Sequence, residues 1–494
     1  MKEISFFPAK TGIQTCSCDN VSLHSKYDPK KEACTFADNL VVDFLPTLII
    51  VTEPALSYCA EFLRKRFPQT KLVAIRYSKQ FDFCNHLWDE VYYQDNLSPL
   101  LQNHGEEGIL TAFFTAWKPS TIIFPQEHAQ VWSTIKTIVN SARSILMTRA
   151  FFAQRWIKNT IKFCIRVKNT YTIQKGNSPI LIVASGPSLQ DSIKEIQKHR
   201  CDFFLIALSS ALRPLLQNDI TPDLCISTDG GYWAKQHIAS SPIPLALSGE
   251  SALYGKDFSQ GIVPLSYGDS PEALLLEKCQ ITTLPAVRNG TVSGTALELA
   301  LTLTTGPVFA CGLDLSSNKG FQHIQPNALE LQSSQNDFRL STKESRQYKA
   351  QLSTGSLEIY KNWFKSKSAI FASRFFRINT TSQIASLGTI RDIDWKEYEH
   401  ITSFFAQNKK AKLQFPTLHP TPLLTHNQRY HKIIETLSLW IQKEIPQEVL
   451  EALAPTEMLL AKRSKQQDYT APQEKGKDIL TKLLSDIQVH GNIL

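Results

Sequence analysis

The middle of the chain alternates short, continuous apolar runs with segments whose apolar residues recur at helical spacing. The runs cover residues 180–184, 203–207, 224–228, 245–247 and 307–311. Each run has the length of a strand and no polar face, which is typical of strands buried on both sides of a parallel sheet. Between the runs the period is helical, and one helix is predicted over residues 294–303. An α/β fold with a doubly wound parallel sheet is therefore predicted for residues 171–395.

Residues 1–127 are predicted to form a smaller N-terminal α/β domain. Its strands are predicted at residues 48–51, 71–75 and 121–124. Glu53 follows the first of these strands, at a place where an acidic side chain contacts the ribose in dinucleotide-binding folds. No glycine-rich loop precedes Glu53. We therefore expect this domain to serve as a scaffold or to bind a partner.

Helical periodicity dominates the two remaining segments. Residues 128–170 combine an apolar stripe with aromatic and basic side chains, a mixture that also occurs at nucleic-acid and membrane contacts. A pair of linker helices whose aromatic residues pack between domains is the preferred interpretation. Residues 396–494 are predicted to form a C-terminal helical domain, with a polar loop over residues 462–477 between two of its helices. No catalytic constellation is recognised there.

Polar residues follow the predicted central strands at one edge of the sheet, where ligands bind in folds of this kind. Several of them also begin helices, whose free N–H groups attract anions. We expect a ligand site at this edge because separate loops converge on it. The residues are Ser185, Gly186, Pro187, Ser188 and Leu189 after the first strand, Asp229 after the third, Asn289, Gly290, Thr291 and Ser293 at the start of a helix, and Gly312 and Asp314 after the last strand.

Composition narrows the function classes. The 494 residues are 42% apolar and 20% charged, and the net charge is +8. This charge suits an acidic ligand such as a nucleotide-sugar and is too mild for a nucleic-acid binder. The N-terminal residues lack the organisation of a signal peptide, and no apolar run is long enough to span a bilayer. We therefore expect a cytoplasmic protein with no stable membrane span and no nucleic-acid partner.

The ten cysteines are scattered along the chain and include no CxxC pair. A structural zinc site is therefore not expected. Cys16, Cys18 and Cys34 are an alternative set of metal ligands. Reduced thiols in a cytoplasmic protein are the preferred interpretation.

The strand followed by Gly186-Pro187-Ser188-Leu189 resembles the signature of the Maf (motility-associated factor) family of flagellin glycosyltransferases. That family shares a domain type with an archaeal 6-hydroxymethylpterin diphosphokinase. The resemblance covers residues 130–390, and further segments fall in the family's order. They are residues 148–159, 220–223 before the strand that ends in Asp229, 289–293 before a helix, 312–315 followed by His323, and 377–381. Asn289 stands where the family has a glycine.

The resemblance implies a Rossmann-like central domain, similar to bacterial sialyltransferases. It implies transfer of a nonulosonic (sialic-acid-like) sugar from a cytidine monophosphate (CMP) conjugate to Ser or Thr of flagellin, in support of flagellar assembly and motility. Flagellin is then the protein partner, and the nucleotide-sugar is the donor substrate. No tightly bound cofactor and no fixed metal ligand are expected, and a requirement for a divalent metal such as Mg²⁺ stays open.

The chemistry of that transfer gives each residue a role. The CMP-sugar bond breaks through an oxocarbenium-like transition state with a phosphate leaving group, whose charge the backbone N–H groups of residues 186–189 would stabilise. Ser185, the segment 289–293 and Gly312 would bind the donor. His323 would take the acceptor's proton or protonate the phosphate. Asp229 and Asp314 complete the predicted catalytic set as ribose, metal or acceptor contacts, and Asp314 also suits a turn cap. We further expect a Gly186→Val substitution to abolish donor binding and to leave the fold largely intact.

Two other functions stay open. The shared domain permits pyrophosphoryl transfer of the 6-hydroxymethylpterin diphosphokinase kind, which needs acids that hold magnesium against ATP phosphates. The other function is that of a non-catalytic, motility-associated protein that uses its nucleotide fold as a binding platform. The additional N-terminal and C-terminal segments favour the transferase, because a flagellin is far larger than a pterin.

Overall fold

The computed structural model describes residues 3–238, 243–315, 323–327, 338–340, 342, 356–379, 385–408 and 412–489. The chain divides into two compact units. The first contains the residues up to 151 together with residues 450–478. The second contains residues 152–449 and the residues from 479 onward. The predicted domains are each continuous in sequence, whereas these units are each built from two separate stretches.

Two sheets lie in the first unit. One is antiparallel and consists of β1 (Ile4–Pro8), β2 (Gln14–Cys18) and β3 (Val21–Ser22) in that order. The strands of the other are β4 (Leu48–Thr52), β5 (Lys71–Arg76), β6 (Glu90–Tyr93) and β7 (Ala112–Ala116). This second sheet is parallel, has the order β6-β5-β4-β7, and buries β4 along its whole length, as its apolar run predicts.

Helices from both stretches belong to the first unit. The N-terminal stretch contributes α1 (Pro29–Asp38), α2 (Cys59–Arg66), a 3-10 helix (Lys79–Leu87), α3 (Ser98–Leu110) and α4 (Lys118–Ile123). The later stretch contributes the helix Pro455–Arg463 and parts of the helices Gln447–Leu453 and Thr470–Val489. The later stretch is bonded to the earlier one, since Lys462 pairs with Glu107 at 2.7 Å and Arg463 donates to the Leu110 carbonyl at 3.1 Å.

Glu53 is fully buried immediately after β4. Its carboxylate pairs with Arg76 at 3.2 Å and accepts the N–H groups of Tyr77 at 2.6 Å and Ser78 at 3.0 Å. Burial raises the pKa of Glu53, and Arg76 together with these N–H donors opposes that rise. Both carboxylate oxygens are thus used inside the unit. This arrangement favours the scaffold interpretation of the domain over a ribose contact at Glu53.

A large sheet forms the centre of the second unit. Its strands are β8 (Asn169–Gln174), β9 (Ile180–Val183), β10 (Phe204–Leu208), β11 (Leu224–Ser227), β12 (Leu245–Ser248), β13 (Gly261–Ser266), β14 (Leu284–Pro285), β15 (Val308–Cys311), β16 (Phe375–Ile378), β17 (Arg391–Ile393) and β18 (Thr417–Pro420). Their order is β17-β16-β15-β9-β10-β11-β12-β13-β8-β18, with β14 beside β13. The pairs are parallel, except that β18 runs antiparallel to β8.

The remaining helices follow the chain through this sheet and beyond it. They are α5 (Pro125–Arg166), α6 (Leu189–Lys198), α7 (Ser209–Gln217), α8 (Ser270–Lys278), α9 (Val292–Leu303), α10 (Ser356–Phe371), α11 (Trp395–Asn408), α12 (His426–Gln442), α13 (Gln447–Leu453), α14 (Pro455–Arg463) and α15 (Thr470–Val489), with short 3-10 helices at Ala234–His237 and Gly255–Ser259.

Helices cover both faces of the large sheet. Ile180 and Ile182 of β9 pack in a core with residues of α9 and α10 on one face. Leu181 and Val183 pack in a second core with residues of α6 and α11 on the other. Successive side chains of a strand point to opposite faces, so β9 is buried on both sides. The predicted doubly wound α/β fold is confirmed.

Residues 128–170 contain one long helix where a helix pair was predicted. α5 is 42 residues long, or about 63 Å at the helical rise per residue. No glycine or proline follows Pro125 within it, so nothing in its sequence favours a turn. Its residues up to 151 belong to the first unit and the rest to the second. Neither α5 nor any other helix among the described residues is long and apolar enough to cross a membrane.

Three local predictions are wrong. The apolar residues at 121–123 lie in α4, which has a proline in its first turn. The C-terminal segment is not wholly helical, since residues 417–420 form β18 at the edge of the large sheet. The predicted loop over 462–477 is confined to the few residues between α14 and α15. Pro472 lies in the first turn of α15, where its missing N–H is tolerated.

Candidate functional site

The strand order reverses beside β9. From β9 the chain adds β10, β11, β12 and β13 on one side, and it later places β15, β16 and β17 on the other. The connections that leave β9 and β15 therefore turn to opposite faces and open a crevice at the carboxyl edge of the sheet. Ligands bind in such a crevice in open α/β folds. Residues 184–188 follow β9 and residues 312–315 follow β15, so both predicted loops border the crevice.

Asp314 contacts the start of α6. Its Oδ2 accepts the Ser188 N–H at 2.8 Å, and its Oδ1 accepts the Ser188 hydroxyl. The Gly186 N–H donates to the Gly312 carbonyl at 2.7 Å, and the Leu189 N–H donates to the Gly186 carbonyl at 3.0 Å. The helix N-terminus is thus an anion site that already holds the protein's own carboxylate. A phosphate bound at these N–H groups, as predicted, would have to replace Asp314.

Gly186 and Gly312 allow the two loops to touch. A Cβ at Gly186 would meet the Gly312 carbonyl oxygen and lie 2.7 Å from the Asp314 carboxyl carbon. Gly312 has a φ of +66°, and a Cβ there would meet the Ala184 carbonyl oxygen. The expectation that Gly186→Val leaves the fold intact is therefore wrong, because the added side chain would displace backbone rather than fill open space.

The structure brings the segment that carries His323 to the same crevice. The N–H of Ile324, the next residue, donates to the Ser185 carbonyl at 2.7 Å. The Ser185 hydroxyl is in turn 2.8 Å from the Ser210 hydroxyl at the start of α7. His323 is therefore tied to the loop after β9, as the prediction requires. Residues 316–322 of the predicted polar loop around His323 lie outside the described residues.

Asp229 follows β11, and its neighbourhood includes a histidine that the sequence did not single out. Its Oδ1 accepts the Gly231 N–H at 2.7 Å. His237 ends the 3-10 helix that follows, and its pKa is lowered to about 4, mainly by burial. His323 and Arg213 contribute to this lowering and Asp229 opposes it, so all of these groups lie within electrostatic range of His237. The structure thus places Asp229 and His323, two of the predicted catalytic residues, within electrostatic range of the same histidine.

Tyr360 of α10 also faces this group. Burial raises the pKa of its hydroxyl, and the negative charge of Asp229 raises it further. Tyr360 lies far from the strand-end motifs in sequence. His237 lies in a short 3-10 helix whose sequence contains no recognisable motif. No spacing or motif in the chain could have identified either residue.

The segment 289–293 lies at the start of α9. Because α9 leads into β15, its beginning lies at the carboxyl edge of the sheet, and it packs against β9, β10 and β11. The Thr291 and Ser293 hydroxyls are 2.9 Å apart. The side-chain amide of Asn289 donates a hydrogen bond to Glu298 of α9 at 3.2 Å, so this amide already has a partner within the protein. Gly290 has a φ of +69° and open space beside it, which suits a turn near a ligand.

Arg288 precedes this segment, is partly exposed, and joins a cluster with the buried Glu250 and Glu272 that the sequence reasoning missed. It makes two hydrogen bonds to Glu250, at 2.7 and 3.0 Å, and its guanidinium lies 4.2 Å from the centre of the Tyr267 ring. Glu272 accepts the Gly249 N–H at 2.8 Å and the Tyr267 N–H at 3.3 Å. Burial, and then the charge of Glu250, raise the pKa of Glu272 to about 7. This cluster fixes the loops after β12 and β13.

Arg377 on β16 supports the turn that contains Asp314. It is buried, donates to the Leu313 carbonyl at 3.1 Å, and makes two hydrogen bonds to Asp392 at 2.6 and 2.9 Å. Thr380 and Thr381, the end of the resembling segment, lie outside the described residues. Within the part of the chain that the structure describes, no group of three or more His, Cys, Asp or Glu side chains is arranged to hold a metal ion.

Comparison with known proteins classifies the central part of the chain. Residues 154–320 match the family model described as 6-hydroxymethylpterin diphosphokinase MptE-like. Over these residues the chain is therefore similar to the MptE-like domain, which is the domain found in Maf-type proteins.

Two uncharacterized proteins of Treponema pallidum (strain Nichols) are similar to the chain. One is 28% identical over 393 residues, which are 75% of this chain and 85% of that protein. The other is 30% identical over 163 residues, which are 31% of this chain and 28% of that protein. Among solved structures, the MAf glycosyltransferase from Magnetospirillum magneticum AMB-1 matches with 12% identity and a TM-score of 0.49, over 99% of this chain and 92% of that one.

Proposed function

We propose that the chain is a glycosyltransferase of the Maf type, which transfers a nonulosonic acid from a CMP-sugar to a Ser or Thr hydroxyl of flagellin. The observation that carries the proposal is the convergence of Asp229, His237 and the segment of His323 on the crevice beside β9. The MptE-like domain and the ordered motifs that resemble the Maf family support it. A nucleotide-sugar is the donor class that such a crevice accommodates.

Proton transfer is assigned to the histidine and acid cluster. The acceptor oxygen attacks the anomeric carbon as the bond from that carbon to the phosphate oxygen breaks. The electron pair of that bond leaves with CMP, and the hydroxyl proton passes to His323. The charge of Asp229 raises the pKa of His237 and so opposes the lowering caused by burial. His237, whose pKa of about 4 keeps it neutral near pH 7, acts as a positioning residue.

Donor binding is assigned to the hydroxyls and amides that border the crevice. Ser185 with Ser210, and Thr291 with Ser293, place pairs of hydroxyl groups at the starts of α7 and α9. Both helix starts favour negative charge, which suits the phosphate of CMP. Asp314 is reassigned from catalysis to positioning, because both of its oxygens hold Ser188.

The experiment combines nucleotide binding with one catalytic variant. CMP is expected to raise the melting temperature of the purified protein by several degrees at concentrations well above its dissociation constant. A His323→Asn variant is expected to keep this CMP shift and to lose about 100- to 10,000-fold in transfer rate, measured by the mass of flagellin incubated with a panel of CMP-nonulosonic acids. His431→Asn, which changes an exposed histidine of α12, is the matched control and is expected to transfer normally.

A second candidate is pyrophosphoryl transfer to a pterin, which the description of the matching family model favours. The same binding experiment separates the two functions. Stabilisation by ATP with magnesium or by 6-hydroxymethylpterin, with no effect of CMP, would replace the transferase by this reaction. If the mass of flagellin is unchanged in cells that lack the gene, flagellin is not the acceptor. The donor class would then be decided by the CMP binding experiment alone.

A further inference from the structure

The last turns of α5 carry a row of positive charges. Lys158, Lys162 and Arg166 are spaced four residues apart, so they lie along one side of the helix. One turn of α5 also adjoins the proposed catalytic loops, since Asn159 donates to the Gly230 carbonyl at 3.3 Å and to the Glu250 carbonyl at 2.8 Å. The charged row therefore begins beside the loop that contains Asp229.

Lys235 adds a fourth positive charge from that same loop. Its Nζ lies 3.9 Å from the centre of the Tyr232 ring and 4.6 Å from the centre of the Tyr254 ring. Two aromatic faces thus hold this ammonium group in place. Tyr232 and its neighbour Trp233 are more than half exposed, at 55% and 51%. They present aromatic surface next to the charged row.

The positive charges are only partly neutralised. Asp486 accepts a hydrogen bond from Lys158 at 3.0 Å. Neither Lys162 nor Lys235 makes an ion pair with a carboxylate among the described residues. Lys162 is half-buried, and its pKa is lowered by burial and then by Lys158, Arg166 and Lys235, with Asp486 opposing. An anion bound here would relieve the repulsion among these cations.

The spacing of the row indicates the shape of that anion. Residues four apart on a helix are separated by about 6 Å along its axis. Alternate residues of an extended polypeptide are separated by about 6.6 Å. Acidic side chains at alternate positions of an extended segment would therefore meet successive cations of α5. A compact anion would reach only part of the row.

We propose that Lys158, Lys162, Arg166 and Lys235, with Tyr232 and Trp233, form an acceptor strip that binds an extended acidic segment of the protein substrate. This proposal rests on the proposed function for the presence of a protein acceptor. The strip would hold the polypeptide beside Asp229 while a nearby hydroxyl enters the crevice. A nucleic acid is disfavoured because the chain's net charge of +8 is mild for its length.

The test measures binding of a fluorescent peptide of alternating Glu and Ser to the full chain by fluorescence anisotropy. A Lys162→Gln/Lys235→Gln double variant is expected to bind at least tenfold more weakly. A Lys194→Gln/Lys278→Gln double variant, which removes two exposed lysines from α6 and α8, is expected to bind like the unchanged protein. Asp486→Asn is expected to tighten binding severalfold, because it removes the carboxylate that competes for Lys158.

Several outcomes overturn the proposal. Equal loss of binding in both double variants would show that only net charge matters. Tighter binding of an oligothymidine with the same number of charges, or of vesicles rich in anionic lipid, would replace the peptide by another partner. The CMP-dependent melting shift is measured in parallel and is expected to be unchanged in the double variant. Absence of that shift in the unchanged protein, with peptide binding intact, would remove the proposed function and leave the strip in place.

Discussion

Asp314 bonds both the backbone N–H and the hydroxyl of Ser188, at the first turn of α6. A carboxylate at this place offsets unpaired N–H groups and interacts favourably with the helix dipole. The same contact joins the loop after β15 to the loop after β9. The Asp314 side chain therefore adds to the backbone bond between Gly186 and Gly312 in holding together the two loops that border the crevice.

Removal of this carboxylate is expected to destabilise the second unit. Asp314→Ala should cost about 1–3 kcal/mol in the free energy of unfolding, because it leaves two donors of Ser188 unpaired. Asp314→Asn keeps an acceptor oxygen and should cost less. Urea denaturation measures both. Asp191→Ala, which removes an exposed acid from the same helix turn, is the control and should cost under about 1 kcal/mol. Equal costs for Asp191→Ala and Asp314→Ala would show that the bonds to Ser188 do not stabilise the fold.

His237 gives the folded protein a defined response to acid. Burial, His323 and Arg213 hold its folded-state pKa at about 4, with Asp229 opposing, against 6.5 for an ordinary histidine. The unfolded chain therefore binds a proton at this site as the pH falls below about 6.5, and the folded chain does not until about pH 4. Stability from this residue is complete above that window and is lost as the pH falls through it, by at most about 3 kcal/mol because the ring is only partly shielded.

A histidine-resolved NMR titration tests this response. The His237 resonance is expected to move with a midpoint near pH 4, and a His237→Gln variant should lose less stability than the unchanged protein between pH 6.5 and pH 4. A midpoint near 6.5 for His237 would contradict the buried, charge-opposed environment.

At the scale of elements, the strands that the sequence predicts correctly are those whose own residues are enough to identify them. β9, β10, β11 and β15 are apolar throughout, and a buried parallel strand needs nothing else to be visible in sequence. β18 was missed because it is a polar-looking edge strand of four residues that ends in a proline, which edge positions tolerate. The helix at 118–123 was missed because its apolar residues are too few to show a period.

The candidate site could be predicted only in part, because some of its contacts depend on residues that are distant in sequence. The loops after β9 and β15 could be placed at one edge because parallel strands end together. The hydrogen bond between Ser188 and Asp314 could not be predicted, because 126 residues separate the two positions. The environment of His237 depends on Asp229, His323 and Arg213, which meet only in the folded chain. Strand ends thus indicate where a site lies, whereas partners within it are set by tertiary contacts.

At the scale of the molecule, the predicted C-terminal helical domain is divided between the two compact units. Residues 450–478, which include α14, belong to the first unit, and α12 belongs to the second. Met458 of α14 and Leu437 of α12 are both buried, at 1% and 0% exposed. Two helices that lie close in sequence therefore belong to different compact units.

This division predicts separate effects of two matched core substitutions. Met458→Ala and Leu437→Ala should each cost about 2–5 kcal/mol through the lost apolar contacts and the cavity left behind. Hydrogen exchange followed by mass spectrometry should show faster exchange in peptides that contain β4 for Met458→Ala, and in peptides that contain β9 for Leu437→Ala. Faster exchange of both peptides in both variants would show that the two units unfold as one.

The return of the chain to its first unit has a consequence for synthesis. A ribosome releases β4 and its neighbours early, but it releases residues 450–478 only after residues 152–449 have all emerged. Domains of large proteins generally fold as units while the chain is made. Here the first unit cannot acquire its last helices until residues 152–449 have been synthesised, so the nascent protein carries an incomplete core of that unit throughout this part of its synthesis.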